Sequence, residues 1–322
     1  MDGVKFTLIT IISVAIFTNS VSLYFLFKKQ KKNNYVILCI NLSLSDLLQS
    51  IAGYIPALFI DAKLQKATML CKLSAFFIAF PSFTTIAMLT SMALSRMVLL
   101  STCFHCNQIN YKILFRKIGF ISWIYGFIWA VFPLFGFSSY TLEGTHSRCS
   151  IDFSPKTIAD KVYLIMIVAF GFLIPVMSIL ISCIYTAKVM RSKYKFFYVT
   201  YGKENVETKR YKEKEKKAFS SFVLMVTSFI ICWSPYATIG CLSAFTLTRI
   251  PKWLLHSAAF LGKLSAVVNP FIYYWKDGLF KKRFTSTTWN ASYFISKSQQ
   301  NIEDNQKNSR GALRNYMNVF CG

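Results

Sequence analysis

The sequence predicts an all-α membrane protein, a bundle of seven transmembrane helices followed by a short amphipathic helix. Of the 322 residues, 54% are hydrophobic and 17% are aromatic, which is too apolar for a water-soluble domain. The apolar residues also fall into seven stretches, each long enough to cross the hydrocarbon core of a bilayer as a helix. These stretches lack the alternating pattern of a membrane β-barrel, which favours helices.

The predicted spans follow one another without an internal repeat or a domain boundary. They cover residues 6–27, 35–60, 71–100, 117–137, 161–187, 218–245 and 253–275. We therefore expect one transmembrane domain over residues 1–284. It ends in a basic and apolar segment, Lys276 to Phe284, which predicts a helix lying on the membrane surface. Polar residues predominate over 285–322, which predicts a disordered cytoplasmic tail.

The basic residues indicate how the helices cross the membrane. The net charge is +24, and three connecting segments carry 18 Lys and Arg whereas the three alternate segments carry 8. The first set is 28–34, 102–117 and 188–217, and the second is 61–72, 138–161 and 246–252. Positive residues favour the cytoplasmic side, so we expect a cell-membrane protein with its N-terminus outside and its C-terminus inside. This distribution explains the basicity without any binding to nucleic acid.

Polar and helix-breaking residues recur within the spans. Asn19, Asp46 and Asn269 would lie at membrane depth, so we expect them to meet in a shared hydrogen-bonded network. Three prolines also interrupt spans: Pro175, Pro235 and Pro270. Each removes a backbone hydrogen bond, which makes it either a hinge or a static kink.

Lys263 is the most unusual residue, because it lies near the middle of the last predicted span. An ionisable side chain there is costly and indicates a functional site. Lysine is also the side chain that forms a Schiff base with an aldehyde. The alternative is a lysine whose stem reaches the membrane surface, which the position in the middle of the helix disfavours.

Taken in order, the landmarks of the spans resemble the rhodopsin-like G-protein-coupled receptor family. They are Asn19, Asn41 to Asp46, Ser95-Arg96-Met97, Trp123, Pro175, Cys232-Trp233-Ser234-Pro235-Tyr236 and Asn269-Pro270-Phe271-Ile272-Tyr273. Each motif is weak alone, whereas the ordered set over residues 19–273 is specific. Lys263 lies six residues before Asn269, which is the spacing found in opsins. The resemblance implies that Lys263 carries retinal, 11-cis or all-trans, as a Schiff base.

A protonated Schiff base in an apolar pocket needs a negative partner. Ser74 stands three residues after the cysteine of the third helix, where vertebrate visual opsins have a carboxylate, and cannot serve. Glu143, six residues before Cys149, resembles the loop glutamate that acts as counterion in opsins of the non-visual or invertebrate-like type. The alternative is a solvated loop residue. We expect Cys71 and Cys149 to form a disulfide on the oxidising outer face.

The resemblance also implies a pocket and a switch. The expected pocket residues are Trp233, Tyr236, Phe172, Gly171, Ile78, Ala79 and Ser82. The expected switch residues are Arg96, Glu215, Asp46, Asn269, Pro270 and Tyr273. Two departures from the family pattern are Ser95, where the family has an acidic partner for the arginine, and Cys183, where it often has tyrosine. Losing the acidic partner predicts elevated activity in the dark.

These features predict a light-activated receptor and not an enzyme, since no nucleophile and base constellation appears. The expected partners are a heterotrimeric G protein, a receptor kinase, arrestin and membrane lipids. Two alternatives remain open. One is a retinal photoisomerase with weak signalling, which Ser95 and Cys183 favour. The other is a receptor for a peptide or small molecule, in which Lys263 is incidental.

Overall fold

Seven long helices, one short 3₁₀ helix (Phe132–Leu134) and one β-hairpin form the regular structure of the described residues. The computed structural model describes residues 2–28, 34–60, 67–101, 111–142, 149–245 and 250–276. Five helices are continuous: α1 (Asp2–Lys28), α3 (Met69–Ser101), α4 (Tyr111–Val131), α6 (Val206–Phe245) and α7 (Lys252–Lys276). The predicted amphipathic helix beyond Lys276 and the predicted tail lie outside the described residues.

The remaining two helices each contain a π-helical segment. Helix α2 consists of Asn34–Leu48, the π segment Gln49–Tyr54 and a last turn, Ile55–Ala57. Helix α5 consists of Ile158–Val168, the π segment Ala169–Leu173 and Ile174–Tyr201. Both π segments are followed within two residues by a proline. A π segment changes the direction of the side chains within it, and such segments are frequent at functional sites.

Length and composition identify the helices as membrane spans. Among the described residues, α1 to α6 are each long and apolar enough to cross a membrane. Helix α7 falls below that limit, because polar residues such as Lys263, Ser265 and Asn269 interrupt its apolar run. It nevertheless packs against α1, α2 and α6 as the seventh member of the bundle. The predicted fold class is confirmed.

Helices α5 and α6 are longer than predicted. The sequence prediction placed a basic connection at 188–217, whereas α5 continues to Tyr201 and α6 begins at Val206. At about 1.5 Å per residue, the 44 residues of α5 measure roughly 66 Å, twice the thickness of a hydrocarbon core of about 30 Å. We call residues 188–217 the α5–α6 extension. The charged residues of this extension interrupt the apolar pattern, on which the prediction was based, but both helices continue into the extension.

Helix α3 lies at the centre of the bundle, in contact with α2, α4 and α5. It packs tightly against α4 at Gly126. A Cβ atom at this position would lie 2.1 Å from Oγ1 of Thr84 and 2.6 Å from the carbonyl oxygen of Phe80. Glycine is therefore required for the two helices to pack at this distance.

A β-hairpin covers one end of the bundle, which we call the hairpin end. Its strands, β1 (Tyr140–Leu142) and β2 (Cys149–Ile151), are antiparallel, with Leu142 opposite Cys149. The predicted disulfide is confirmed, because Cys149 of β2 is bonded to Cys71 of α3 with the two Cα atoms 5.4 Å apart. The hydroxyl of Tyr140 donates to the carbonyl oxygen of Ala130 at 2.8 Å, which ties the hairpin to α4.

Candidate functional site

A cavity lies between the helices and the β-hairpin. Its empty volume is about 990 Å³, including any space open to solvent. Helices α2, α3, α5, α6 and α7 and the hairpin all contribute to its wall. Its aromatic lining residues are Tyr54, Phe83, Tyr140, Phe153, Phe172, Phe229, Trp233 and Tyr236. The wall is therefore apolar and rich in rings, with few polar groups.

The structure brings together the residues that the sequence suggested for a pocket. Those lining the cavity are Lys263, Trp233, Tyr236, Phe172, Gly171, Ile78, Ala79 and Ser82. Sequence reasoning missed Tyr54 and Phe83, which line it as well. Phe83 lies one turn from Ala79 on α3, so helical spacing could have found it. Tyr54 lies in the π segment of α2, where regular helical spacing does not apply.

The amine of Lys263 is buried within this apolar wall. The residue is only 6% exposed, and its Nζ donates to the carbonyl oxygen of Ala259 at 3.3 Å. The same nitrogen lies 5.1 Å from the centroid of the Tyr54 ring. A cation over a ring face is attracted by the negative face of the π system. The lysine therefore does not extend to the end of the helix, but faces the cavity.

The hydroxyl groups of Ser74 and Tyr54 both donate hydrogen bonds to backbone carbonyl oxygens. Ser74 donates to the carbonyl oxygen of Gly53 at 2.8 Å, which joins α3 to α2. Tyr54 donates to the carbonyl oxygen of Gly262 at 3.1 Å, which joins α2 to α7. Both groups are buried. A neutral serine engaged in this way offers no negative charge to the cavity.

A polar cluster lies next to the cavity, between α2, α3 and α7. The amide of Gln49 donates to Oγ of Ser82 at 2.8 Å, and the amide of Asn269 donates to the carboxylate of Asp46 at 3.1 Å. Asn19 instead donates to the backbone carbonyl of Ala266 at 2.8 Å. The expected network therefore includes a direct bond between two of its side chains, while Asn19 joins it through the α7 backbone.

The opposite end of the bundle contains Arg96. Its guanidinium carbon lies 5.4 Å from the centroid of the Phe222 ring on α6. Ser95 donates to the carbonyl oxygen of Ser91 in its own helix at 2.6 Å. Glu215 belongs to α6 and Tyr273 to α7, but their side chains lie outside the described part of the structure.

The predicted counterion Glu143 also lies outside the described residues. Strand β1 ends at Leu142, and all three residues of β2 line the cavity. The acidic residue that follows β2, Asp152, accepts a hydrogen bond from the backbone N–H of Ser154 at 2.9 Å. The carboxylate of Asp152 is therefore engaged in the turn after the hairpin.

Comparison with known proteins identifies relatives of the whole bundle. Residues 19–273 match the family described as 7 transmembrane receptor (rhodopsin family). The chain is 28% identical to Melanopsin-B of Xenopus laevis over 274 residues, which are 81% of this chain and 50% of that protein. It is 27% identical to the GQ-coupled rhodopsin of Mizuhopecten yessoensis over 277 residues, 84% of this chain and 54% of that protein. The chain thus spans about half the length of these two relatives.

Two further comparisons cover a larger share of the related protein's length. The compound eye opsin BCRH1 of Hemigrapsus sanguineus is 28% identical over 327 residues, which are 95% of this chain and 83% of that protein. The crystal structure of squid rhodopsin superimposes with a TM-score of 0.77 and 21% identity, covering 89% of this chain and 81% of that chain. At this identity the structural likeness concerns the fold, which is the seven-helix bundle of a multi-pass membrane protein.

Proposed function

Because the chain belongs to the rhodopsin family of seven-transmembrane receptors, we propose that it is a light-sensing receptor that binds retinal through Lys263. One observation carries this proposal: a buried lysine amine lines an apolar cavity with aromatic walls. A lysine amine condenses with an aldehyde to form a C=N bond and one water molecule. The relatives named above include opsins from three animals, which supports the same function.

The wall of the cavity fits a long apolar aldehyde. Polyenes are held by apolar and stacking contacts, with few polar groups to fix orientation. The residues that we propose to hold retinal, besides Lys263, are Trp233, Tyr236, Phe172, Gly171, Ile78, Ala79 and Ser82. Retinal, when bound, would supply the absorption of visible light and a change of shape on isomerisation. The protein would supply the fixed nitrogen and the closely fitting walls.

We assign the counterion role to Glu143. A buried cation at Lys263 needs negative charge nearby, because desolvation disfavours the charged form. Ser74 gives its hydroxyl to the Gly53 carbonyl, so the position in α3 supplies no carboxylate. Glu143 directly follows Leu142, the last residue of β1 in a hairpin that covers the cavity. This position in the chain supports the assignment.

The polar cluster next to the cavity suggests how a change of retinal shape would reach the Arg96 end of the bundle. Trp233 lines the cavity, and it also lines a small second cavity together with Asp46 and Asn269 of the polar cluster. We propose that movement of α6 and α7 about Pro235 and Pro270 links the two ends. The residues of the proposed switch are Arg96, Glu215, Asp46, Asn269, Pro270 and Tyr273.

The Arg96 end is the proposed docking side for a heterotrimeric G protein, a receptor kinase and arrestin. It carries the α5–α6 extension, in which 11 Lys and Arg outnumber 4 acidic residues. Such a basic surface also favours contact with anionic lipids of the inner leaflet. The hairpin end, where the disulfide lies, would face the oxidising exterior of the cell, together with the N-terminus.

A second function, retinal photoisomerase with weak signalling, is favoured by one observation. Ser95 bonds to its own helix at the position where the family has an acidic partner for Arg96. A receptor that lacks this partner could bind retinal and respond to light without efficient coupling to a G protein. The experiment below separates the two functions.

The proposed function is tested with purified protein and both retinal isomers. Absorption spectra are recorded in the dark and after illumination for wild type, Lys263→Ala and the control Lys161→Ala, an exposed lysine on α5. We expect a visible band in wild type and in the control, and no band in Lys263→Ala. Light-dependent nucleotide exchange on a G protein is then measured on the samples that form the band. Its absence would favour the photoisomerase, and a wild-type protein without a band would exclude both functions.

A further inference from the structure

The ring of Tyr54 carries an inference beyond the attachment of retinal to Lys263. We propose that Tyr54 is a positioning residue, which fixes the Lys263 nitrogen and stabilises its positive charge through the face of the ring. The role in retinal binding rests on the proposed function. The contact between Lys263 and Tyr54 is present in the protein without retinal, so it is tested first in that form of the protein.

The geometry places the two groups in direct contact. Nζ of Lys263 lies 5.1 Å from the centroid of the Tyr54 ring, within the distance of about 6 Å at which a cation is attracted by a ring face. Tyr54 is 3% exposed and Lys263 is 6% exposed. Water therefore screens the interaction little, and desolvated cation–π contacts are the strong ones.

One contact holds the Tyr54 ring in this position, and two more hold the backbone of α2 beside it. The Tyr54 hydroxyl donates to the carbonyl oxygen of Gly262, the residue just before Lys263, so both ends of the contact are tied to α7. The preceding residue, Gly53, accepts the hydrogen bond from Ser74. A Cβ atom at Gly53 would lie 2.7 Å from Cγ1 of Ile78, so α2 and α3 are also in close contact here. The ring cannot turn away without disrupting this packing.

Among the described residues, few other ionisable side chains line the cavity that Lys263 faces. Glu143, proposed above as the counterion, is a further charged group that lies outside the described residues. Tyr236 of α6 and Tyr140 of the hairpin line the same cavity. Asp46 of α2 is bonded to Asn269, and Asp152 to the backbone of Ser154. Helix α1 has no Asp, Glu, Lys, Arg or His between residues 6 and 27. The ring face of Tyr54 is therefore a distinct electrostatic contribution that a substitution can isolate.

The first experiment uses the protein without retinal. Reductive alkylation of Lys263 by benzaldehyde and cyanoborohydride is followed against pH, with mass spectrometry of the peptide that contains Lys263. Position 54 carries Tyr, Phe, Leu or one of a series of fluorinated phenylalanines, which keep the ring size and weaken its negative face. We expect Tyr54→Leu to lower the pH midpoint of the reaction by about one unit, a tenfold change in the proton equilibrium. Phe keeps the ring but loses the hydrogen bond to Gly262, so it is the reference for the fluorinated series, in which each added fluorine should lower the midpoint further.

The second experiment uses the pigment. The pH at which its visible band converts to a near-ultraviolet band is measured for the same variants. We expect the same order relative to Phe: the fluorinated rings lower and Leu lowest. If wild type forms no pigment, the proposed function fails while the alkylation series still tests Tyr54.

The result that would overturn the role of Tyr54 is a midpoint that does not change along the fluorinated series. The fluorinated rings preserve the shape of the site, so they keep the test decisive even if Tyr54→Leu fails to fold. If Tyr54 were only structural, Tyr54→Leu would lower the protein yield, but the pH midpoint would not fall as fluorine atoms are added to the ring.

Discussion

The guanidinium of Arg96 lies over the aromatic ring of Phe222, 5.4 Å from its centroid, and this contact joins α3 to α6. Phe222 is buried, so the ring has little freedom to leave the arginine. In the family that this chain resembles, an acidic residue precedes the arginine, whereas here Ser95 holds that position. A ring on α6 therefore attracts the guanidinium of Arg96, and contacts of this kind contribute about 0.5–2 kcal/mol.

Removing this ring is expected to raise activity in the dark. Phe222→Leu keeps an apolar side chain but loses the ring face, so basal nucleotide exchange should rise by about 2- to 30-fold. Met225→Leu, a buried residue one turn along α6, is the matched control and should leave basal exchange unchanged. Equal basal exchange in Phe222→Leu and in the control would show that the ring does not restrain Arg96.

Adding a carboxylate beside Arg96 is expected to have the opposite effect. Ser95→Glu would supply the missing acidic partner, so its basal nucleotide exchange should fall below that of wild type. Ser95→Ala is the control, because the Ser95 hydroxyl bonds only to the Ser91 carbonyl among the contacts that the structure gives it. The prediction is wrong if Ser95→Glu and Ser95→Ala signal equally in the dark.

The contact between Gly171 and Phe83 sets the shape of the cavity wall. A Cβ atom at Gly171 would lie 2.6 Å from Cε1 of Phe83, so alanine there must push the ring. We expect Gly171→Ala to reduce pigment formation or shift the visible band. Adding Phe83→Leu should restore the pigment, because the smaller side chain makes room for the new methyl group. The absence of rescue in the double variant would place the effect of Gly171 elsewhere.

Much of the fold could be predicted from the sequence, because apolar stretches of sufficient length have few alternatives in a membrane. The disulfide was also predictable, since Cys71 and Cys149 fall in segments on the same side of the bundle. The length of α5 and α6 was not. The end of α5 after residue 187 and the start of α6 before residue 218 carry charges. Charges interrupt an apolar pattern but are compatible with a helix outside the bilayer.

The site could be predicted where regular helices present its residues. Trp233 and Tyr236 lie three positions apart on α6, so both face the same cavity. Tyr54 could not be found in this way, because the π segment of α2 breaks the regular spacing from Asp46. The ring of Phe222 beside Arg96 was also missed, since no sequence pattern reports which side chain replaces an absent ion-pair partner.

The Cys71–Cys149 disulfide should be needed for the stability of the hairpin end. It connects residues 78 positions apart and holds β2, all of whose residues line the cavity, against α3. Cys71→Ala and Cys149→Ala should each lower the free energy of unfolding by about 2–5 kcal/mol, and the double variant should be no worse than either. Thermal unfolding in detergent measures this. A double variant much less stable than both single variants would mean that the cysteines act separately.

The tight packing of α4 against α3 at Gly126 gives a sharp test of the fold. Gly126→Ala would place a methyl group 2.1 Å from Oγ1 of Thr84 and 2.7 Å from its backbone nitrogen. We expect destabilisation of about 1–3 kcal/mol or more, measured as a lower temperature of thermal unfolding. Thr84→Ala should fail to rescue it, because the backbone contacts remain. Gly119→Ala is the control, since its nearest neighbour is Nδ2 of Asn41 at 3.2 Å, which needs to shift by only a few tenths of an ångström. Equal losses at the two glycines would contradict this account of the α3–α4 contact.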